Sequence, residues 1–427
     1  MPTRLSSRTE IETVQLERLR GLLAAILPAN PFYARKLAGS GVDAHLSSLG
    51  EFVARAPFTT KQEIVADQLS TPPYGTNLTF PLERYTRFHQ TSGSTGAPIR
   101  WLDTAESWSW MLDNWELIHR AGGTDHTDRI FFAFSFGPFL GFWTAFESAE
   151  RIGCLVIPGG GMNSAARLRA ILDNGVTVLC CTPTYALRLA EVAAEEKLDL
   201  RASKVRTLSV AGEPGGSIPA TRQRLEEVWP GARVYDHHGM TEVGPVSFGC
   251  QARAGVLHVI ESAYLAEVID PATGKAVQSG EVGELVLTTL GRVGSPLLRY
   301  RTGDLVKPSW GQCACGRHEL ALEGGILGRA DDMLVVRGVN VYPSAVEEIV
   351  RRSGGIAEYR VEVGIVRGLA ELRLEIEPVA GGDGRSLAKR LEEELQKALT
   401  LRVPVVVAKG ALPRFEAKAK RWVKPAE

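Results

Sequence analysis

Apolar and polar residues follow two different rhythms along the middle of the chain. Short apolar runs rich in β-branched and aromatic residues alternate with longer stretches whose apolar positions have helical spacing. In chain order the predicted elements are strand Ile130–Phe134, helix Phe142–Arg151, strand Cys154–Ile157, helix Ala165–Asn174, strand Val176–Cys181, helix Tyr185–Glu195 and strand Leu208–Ala211. This succession predicts βαβ units with a largely parallel sheet.

The pattern changes in the last third of the chain. Val256–Ile269 and Val282–Leu290 alternate as antiparallel strands do, around the turn Asp270–Gly274. The C-terminal elements are predicted strands near Met333–Val336, Arg360–Val366 and Glu371–Glu377 and a charged helix Ser386–Thr400. A polar joint at Gly328–Asp332 separates these two patterns, as domain boundaries usually do.

The predicted fold class is therefore α/β with two domains. Residues 1–329 form a large N-terminal domain with βαβ sheets and a small β-rich portion. Residues 330–427 form a small α+β domain.

A loop of small residues, Thr91–Pro98, lies between the predicted strand Arg84–Gln90 and an amphipathic helix for which Thr104 is the predicted start. Its hydroxyl residues and glycines are Thr91, Ser92, Gly93, Ser94, Thr95 and Gly96. Glycine lets a backbone approach an anion closely, while hydroxyl and N–H groups donate to it. The lysine of a Walker loop is missing after Gly96. The pattern predicts a polyphosphate-binding turn of another kind, with a flexible connector as the alternative.

Composition and charge narrow the class of protein. The chain has 427 residues, 44% hydrophobic and 23% charged, which predicts a globular protein with more than one domain. Its 49 basic and 49 acidic residues cancel, so no overall charge favours nucleic acid or an anionic membrane. Charges such as Arg4 and Arg8 interrupt any early signal or membrane segment, and Phe131–Phe146 is broken by glycine and proline. We expect a cytoplasmic protein.

Four potential metal ligands lie in the β-rich portion and the loop-like sequence around it. They are Cys250, His258, Cys313 and Cys315. Three thiolates and one imidazole satisfy tetrahedral Zn²⁺ as a closed structural site. Free thiols are the alternative, because Cys-x-Cys spacing is less specific than paired Cys-x-x-Cys motifs.

Several short motifs occur in an order that resembles the adenylate-forming enzymes, the superfamily of acyl-CoA synthetases, adenylation domains and luciferases. The motifs are Thr91–Gly96, His238–Glu242, Tyr300–Leu305, Gly328–Met333, Arg337–Pro343 and Pro413–Lys418. Cys313–Arg317 and Arg337–Pro343 resemble the phenylacetate-CoA ligase branch in particular. The resemblance implies that a carboxylate attacks the α-phosphorus of ATP to give an acyl-AMP, from which a thiol then displaces AMP.

The resemblance also implies roles for single residues. Thr91–Gly96 would cradle the phosphates of ATP, and Thr241 would contact the α-phosphate. Glu242 would hold Mg²⁺, a hard cation suited to carboxylate oxygens. Asp304 would accept hydrogen bonds from the ribose hydroxyls. Arg329 would lie near the ribose and phosphate.

The remaining nucleotide-site roles fall on the adenine pocket and on a lysine. The predicted adenine-site residues are Gly212, Glu213, Pro214 and His238, and Gly239 is a further predicted cofactor-binding residue. Lys418 would supply positive charge to the first step, and the C-terminal domain that carries it would swing about a hinge at Asp331. A solubilising basic tail is the alternative for Lys418. Relatives often have Tyr where His238 stands and Gly where Ala417 stands.

The predicted acid site is aromatic. Its candidate residues are Ser135, Phe136, Gly137, Tyr185 and Gly212. Aromatic faces favour a flat aryl acid, although each ring is equally compatible with an ordinary core position. We therefore expect an aryl-CoA ligase that uses ATP, Mg²⁺ and CoA. The alternatives are acyl transfer to a carrier protein or an amine, and a non-catalytic nucleotide-binding protein. The family resemblance also allows a homodimer.

Overall fold

The chain divides into two compact units, each of which joins two separate stretches of sequence. The first unit combines Met1–Gly161 with Asp236–Ile326, and the second combines Met162–Tyr235 with Leu327–Glu427. The computed structural model describes residues 5–91, 98–337, 339–366, 369–416 and 418–423. Among the described helices, none combines the length and the apolar character that a bilayer-spanning segment requires.

The regular elements of the described residues are as follows. The α-helices are α1 (Arg8–Ile26), α2 (Pro31–Lys36), α3 (Leu49–Arg55), α4 (Lys61–Ser70), α5 (Ala105–Ala121), α6 (Leu140–Ile152), α7 (Ser164–Asp173), α8 (Pro183–Glu195), α9 (Pro219–Val228), α10 (Pro343–Ser353) and α11 (Gly384–Leu399). The strands are β1 (Tyr85–Gln90), β2 (Arg100–Thr104), β3 (Arg129–Phe132), β4 (Leu155–Pro158), β5 (Val178–Cys181), β6 (Thr207–Val210), β7 (Arg233–Met240), β8 (Gly244–Gly249), β9 (Val256–Val259), β10 (Tyr264–Ile269), β11 (Gly283–Thr289), β12 (Tyr300–Val306), β13 (Pro308–Ser309), β14 (Ala321–Glu323), β15 (Gly328–Arg329), β16 (Leu334–Val336), β17 (Val339–Val341), β18 (Ile356–Val366), β19 (Leu369–Pro378), β20 (Val405–Val407) and β21 (Trp422–Val423).

Polar caps determine where two important helices begin. Thr104 accepts a hydrogen bond from Ser107 N at the start of α5, which confirms the predicted helix start. Thr182 caps α8 in the same way, and Pro183 occupies the first helical position, where its missing N–H costs nothing. Both caps end a strand-to-helix connection, so they also determine the geometry of the connections that precede α5 and α8.

In the first unit, β3 and β4 pair in parallel and α6 connects them, as the predicted βαβ rhythm requires. The strands β7, β8, β9, β14 and β13 pair antiparallel in that order, and β10, β11 and β12 form a second antiparallel group. The predicted strand Val256–Ile269 is two strands, β9 and β10. A turn in which Ala263 N donates to Ile260 O at 2.8 Å separates them. The sequence did not predict this turn because it contains no glycine or proline.

In the second unit, β5 and β6 pair in parallel and α8 connects them. The C-terminal part places β18 between β19 and β21, with β20 beside β19. Helices α10 and α11 supply apolar residues such as Ile349 and Leu391 to a core that lies within residues 336–405. This core belongs entirely to the predicted C-terminal domain, while the predicted boundary at residue 329 stays a prediction.

Candidate functional site

The turn between β7 and β8 carries Thr241 and Glu242. In the paired strands Gly239 faces Pro245 and Met240 faces Gly244. A Cβ atom added to Gly239 would lie 2.8 Å from the carbonyl oxygen of Gly244, closer than real Cβ atoms come. Glycine at position 239 is therefore required by the tightness of this hairpin, which gives the turn a defined shape.

A buried arginine anchors the backbone of the same turn. Arg292 Nη1 donates to the carbonyl oxygens of Thr241 and Glu242, both at 2.8 Å. Its Nε and Nη2 atoms donate to the two carboxylate oxygens of Asp103, both at 2.7 Å, and the side chains of this ion pair are 0% exposed. Charge-assisted, bidentate pairs of this kind are directional as well as strong. Neither Arg292 nor Asp103 is recognisable from the sequence, because a lone arginine in a glycine-containing segment carries no local signal of burial.

The Glu242 side chain offers a carboxylate that fits a hard cation. Residue Glu242 is 8% exposed, and Lys61 Nζ lies 4.0 Å from its Oε1 atom, which is beyond hydrogen-bonding distance. Carboxylate oxygens are the ligands that Mg²⁺ prefers together with phosphate oxygens. The donor chemistry at Glu242 therefore fits the predicted magnesium role.

Two residues predicted for the nucleotide site, one on β7 and one on β12 of a different sheet, are brought together in the first unit. His238 Nε2 lies 2.9 Å from Asp304 Oδ2, and the two side chains are 11% and 6% exposed. The other ring nitrogen of His238 is buried and has no hydrogen-bond partner among the described residues. A neutral ring that donates from Nε2 satisfies this contact. The imidazole that stands where relatives often have tyrosine therefore orients the carboxylate of Asp304.

The connection between β3 and α6 forms an aromatic cluster. Phe134 and Phe142 stack with ring centroids 3.9 Å apart, and Phe136 meets Trp143 edge to face at 5.2 Å. Trp143 Nε1 donates to Gly137 O at 3.1 Å. Phe136 has φ of +50°, a strained conformation for a residue other than glycine, which surrounding contacts must hold in place. These rings are half-buried, so part of each ring remains accessible.

The two other predicted acid-site residues differ in exposure. Ser135 is exposed in the aromatic connection of the first unit. Tyr185 is 1% exposed in the second unit, where its hydroxyl lies 2.9 Å from Ser164 Oγ and the Arg167 guanidinium lies over its ring. A role for Tyr185 in lining the acid site stays a prediction.

The turn that follows β6 contains Gly212, Glu213 and Pro214. The Oε1 atom of Glu213 accepts a hydrogen bond from Thr184 N at 2.8 Å, and its Oε2 atom accepts one from Ala419 N, also at 2.8 Å. Burial raises the pKa of the Glu213 carboxyl group, an effect that these two hydrogen bonds oppose. Pro214 is exposed. The contacts join the predicted adenine turn to the residue that follows Lys418.

Lys418 itself lies beside the same turn of the second unit. The side chain is exposed, and a Cβ atom added to Gly212 would lie 3.4 Å from Lys418 Cε. Gly212 has φ of +92°, a conformation that glycine adopts without strain. The structure thus brings together two residues that were predicted separately for the adenine pocket and for catalysis.

Two arginines hold the chain on either side of Lys418. Arg414 donates from Nη1 and Nη2 to the carboxylate of Glu377 at 2.8 and 2.7 Å, and from Nε to Glu191 at 3.1 Å. Arg421 donates from Nε and Nη2 to Glu358 at 2.6 and 3.2 Å. These contacts attach the lysine-bearing segment to β18, β19 and α8 of the second unit.

The predicted hinge lies in a turn between β15 and β16. Arg329 Nε donates to Asp331 Oδ1 at 2.9 Å, and both side chains are exposed. The N–H groups of Asp332 and Met333 donate to Arg329 O at 3.2 Å. Exposed surroundings of this kind suit a residue whose backbone angles change, so the hinge at Asp331 stays a prediction.

Most of the predicted phosphate loop, namely Ser92, Gly93, Ser94, Thr95 and Gly96, lies outside the described residues. Its first residue is described. Thr91 N donates to Ile99 O at 3.0 Å, and Thr91 Oγ1 accepts from Ile99 N at 3.0 Å. These two contacts extend the antiparallel pairing of β1 and β2, so both ends of the loop are held together.

The four predicted metal ligands converge in the first unit. The ligand atoms of Cys250, His258, Cys313 and Cys315 all lie within 4.8 Å of one another. Cys250 Sγ lies 3.7 Å from Cys313 Sγ, and Cys315 Sγ lies 3.4 Å from His258 Nε2. Around a tetrahedral Zn²⁺, ordinary bond lengths place two sulfurs about 3.8 Å apart and a sulfur and a nitrogen about 3.6 Å apart. The donor set and its spacing fit zinc.

The surroundings of the cluster orient its ligands. His258 Nδ1 lies 3.3 Å from Glu319 O, which leaves Nε2 directed at the thiols. Metal-binding histidines commonly donate their second N–H to a carbonyl or carboxylate in this way. Gly316 N donates to Cys313 O at 2.7 Å and closes the turn that brings Cys315 back towards Cys313.

Comparison with known proteins gives consistent results along the whole chain. A family model described as "AMP-binding enzyme" matches residues 88–291, and one described as "AMP-binding enzyme C-terminal domain" matches residues 338–424. Phenylacetate-coenzyme A ligase of Thermus thermophilus is 33% identical and that of Pseudomonas putida 30%, over 97% and 98% of this chain and 96% and 95% of theirs. A crystal structure of 2-hydroxyisobutyryl-CoA ligase in complex with R3-HIB-AMP superposes with a TM-score of 0.93 at 29% identity, covering 99% of this chain and 91% of that one.

Proposed function

We propose that the chain, which belongs to the adenylate-forming enzymes and within them to the phenylacetate-CoA ligase-like branch, activates an aromatic carboxylic acid with ATP and transfers it to coenzyme A. Membership of the family supports acyl-CoA ligase activity through an acyl-AMP intermediate, without specifying the acid. The aromatic character of the acid is the proposal. The observation that supports it is the set of half-buried rings at Phe134, Phe136 and Trp143, whose faces favour a flat aryl group.

In the first step, a carboxylate oxygen of the acid bonds to the α-phosphorus of ATP, and the bond from that phosphorus to the bridging oxygen breaks to release pyrophosphate. Two anions approach each other, so positioned positive charge and hydrogen-bond donors lower the barrier. We assign this charge to Lys418, and the α-phosphate contact to Thr241. Glu242 would hold Mg²⁺, which supplies further neutralisation of the phosphates when bound. In the second step the sulfur of CoA bonds to the acyl carbon and AMP leaves.

The ribose and adenine roles also remain assignments. Asp304 would accept hydrogen bonds from the ribose hydroxyls, and His238 supports this role because it orients the Asp304 carboxylate at 2.9 Å. Arg329 would approach the ribose and phosphate, and Gly239 would belong to the nucleotide-binding turn. The phosphate cradle belongs to Thr91–Gly96.

A screen for acid-dependent ATP–pyrophosphate exchange tests the proposed substrate class. The panel contains benzoate, phenylacetate and hydroxy- and aminobenzoates, with 2-hydroxyisobutyrate as an aliphatic comparison. We expect at least one aryl acid to support exchange with a kcat/KM about tenfold or more above the aliphatic acid, because only a flat ring uses the aromatic faces. Preferential exchange with 2-hydroxyisobutyrate would contradict the aromatic assignment.

The acyl acceptor is tested separately. Product analysis with the active acid, ATP and CoA is expected to give a thioester and AMP in equal amounts, and no thioester without CoA. Accumulation of acyl-AMP with CoA present, and its consumption on addition of an amine or a carrier protein, would support the alternative acceptors.

We also propose that Cys250, His258, Cys313 and Cys315 bind a structural zinc ion. With four protein ligands no coordination position stays open for substrate, so the metal would brace the loop at Cys313–Cys315 and not catalyse. Purified protein prepared without chelator is expected to contain about one zinc per chain. Cys315→Ser should lose that zinc and unfold at a lower temperature, whereas Cys154→Ser, outside the cluster, should keep it. Metal-free wild-type protein would remove the site.

A further inference from the structure

The Glu213 carboxylate occupies a position between two parts of the second unit. One oxygen binds the N–H of Thr184, in the first turn of α8, and the other binds the N–H of Ala419, directly after Lys418. N–H groups in the first turn of a helix have no partner within the helix and favour negative charge. One carboxylate oxygen therefore fixes Glu213 to the start of α8, and the other oxygen binds the lysine-bearing segment.

The lysine side chain lies close to the same turn. The position that a Cβ of Gly212 would take lies 3.4 Å from Lys418 Cε, so the lysine stem passes beside a residue that has no side chain. Glu213 binds the next residue, Ala419, through its backbone N–H. The aliphatic stem of a lysine has many rotamers, and ordering it costs free energy unless neighbouring groups restrict it beforehand.

The arginines attach this segment at residues further along the chain from Lys418 than Ala419, which Glu213 binds. Arg414 precedes Lys418 by four residues and binds Glu377, and Arg421 follows by three residues and binds Glu358. They attach the segment to the second unit, while the Glu213 contact falls on the peptide unit that Lys418 shares with Ala419.

We propose that Glu213 is a positioning residue for Lys418, which it holds through Ala419 N in the arrangement that the acid-activating step requires. The inference rests on the proposed catalytic role of Lys418, and it gives the turn after β6 a function beyond the adenine pocket. A variant without the Glu213 acceptor still contains Lys418, but the peptide unit between Lys418 and Ala419 is no longer held. The acid-activating step should slow, and the affinity for ATP should stay.

The test compares full-length wild type with Glu213→Gln in the two half-reactions. Gln keeps the size of the side chain and one acceptor oxygen, and removes the second acceptor. We expect kcat for acid-dependent pyrophosphate exchange to fall about 10- to 100-fold, with the KM for ATP changed less than about twofold. Thioester formation from supplied acyl-AMP and CoA should stay within about twofold of wild type. Glu196→Gln, whose exposed carboxylate binds Arg169 at 2.6 Å, is the matched control and should leave both half-reactions unchanged.

A double variant separates positioning from a general loss of structure. In a Lys418→Ala background, Glu213→Gln should cause no further loss of exchange, because the group that it positions is gone. A rise in the KM for ATP with unchanged kcat would overturn the proposal in favour of a purely adenine-lining role. Equal losses in both half-reactions, or a further loss in the Lys418→Ala background, would overturn it in favour of a structural role.

Hydrogen exchange supplies a readout that does not depend on activity. In the peptide covering residues 413–423, one amide of wild type should be protected and should exchange about tenfold faster in Glu213→Gln. Equal exchange in the two proteins would overturn the contact. If wild type activates no acid, the proposed function fails by that result alone, while the exchange measurement still decides whether Glu213 holds the segment. If Glu213→Gln does not fold, Glu213→Asp, which keeps the charge but shortens the reach, takes its place in every arm.

Discussion

Two arginine anchors hold the proposed catalytic residues, and they differ in how far they are shielded from water. Arg292 in the first unit is 0% exposed and directs its hydrogen bonds at Asp103 and at the turn of Thr241 and Glu242. Arg414 in the second unit is 26% exposed and divides its donors between Glu377 and Glu191. A buried ion pair cannot lose one partner without leaving an uncompensated charge, whereas a half-exposed contact can be replaced by water. We infer that the turn at Thr241 keeps one arrangement, while the segment at Lys418 can release Glu191.

The largest expected effect concerns Lys418, in the segment that the half-exposed Arg414 attaches. Lys418→Ala should reduce acid-dependent pyrophosphate exchange by about a thousandfold, or roughly 4 kcal/mol of transition-state stabilisation, because it removes the charge assigned to the first step. Thioester formation from supplied acyl-AMP should stay close to the wild-type rate. Lys420→Ala, an exposed lysine two residues away, is the control and should retain exchange. Wild-type exchange in Lys418→Ala would exclude the lysine from the chemistry.

Substitution of the buried Arg292 should lower the rates of both half-reactions. Arg292→Gln leaves the carboxylate of Asp103 buried without its partner, so we expect the free energy of unfolding to fall by about 3–5 kcal/mol. Urea unfolding measures the stability, and the two half-reaction assays measure the rates.

A double substitution distinguishes anchoring from packing at the same place. Arg292→Met combined with Asp103→Leu removes both charges and should recover much of the stability. The rates of both half-reactions should remain low, because the carbonyls of Thr241 and Glu242 have lost their donor. Recovery of the rates along with the stability would contradict a positioning role for Arg292.

The Glu347 carboxylate, which pairs with Arg421 of the lysine-bearing segment, predicts a pH dependence. Burial of the Glu347 carboxyl group opposes its ionisation, but Arg351 and Arg421 outweigh that effect and lower its pKa from 4.5 to about 2. A lowered pKa contributes stability above the ordinary pKa, and this contribution is lost as the pH falls through the folded-state pKa. Glu347→Gln should therefore be roughly 3 kcal/mol less stable than wild type at neutral pH.

This difference between wild type and Glu347→Gln should shrink as the pH falls from 4.5 towards about 2. Denaturant unfolding of both proteins across that range measures it. A difference that is constant with pH would show that the lost stability comes from packing and not from the charge of Glu347.

The smallest expected effect belongs to the half-exposed contact. Glu191→Gln weakens the bond to Arg414 Nε, and we expect a change in the free energy of unfolding below about 1 kcal/mol. Glu195→Gln is the matched control, because Glu195 shares Arg188 with Glu191 and lies on the same helix. If Glu191→Gln alone lowered the free energy of unfolding by several kcal/mol, the contacts of Arg414 would be as firmly held as those of Arg292, and the contrast between the two arginines would disappear.

Local signals predicted much of the α/β fold, while long-range contacts stayed hidden. The start of α5 at Thr104 was predictable because a cap and its helix are neighbours in sequence. Strand β7 was missed because Arg233–Met240 contains charged and histidine residues with little apolar alternation. The division of Val256–Ile269 into two strands was missed because the turn at Ile260 contains no glycine or proline.

The same limit applies to the site. The metal ligands could be proposed from residue type alone, and the structure brings Cys250, His258 and Cys315 together as expected. The contact between Glu213 and Ala419 spans 206 residues and depends on the packing of the second unit, so no local pattern indicates it. The order of motifs indicates the family and suggests candidate residues, whereas the tertiary contacts that hold each candidate are visible only in the structure.

The burial of Arg292 determines when the turn at Thr241 and Glu242 becomes ordered. Since its hydrogen bonds to Thr241 and Glu242 form with the core, the conformational entropy of that turn is lost once, when the chain folds, and not again in each turnover. On heating, the shape of the turn should survive until global unfolding. This turn should therefore not cause any loss of activity on heating before the tertiary structure itself is lost.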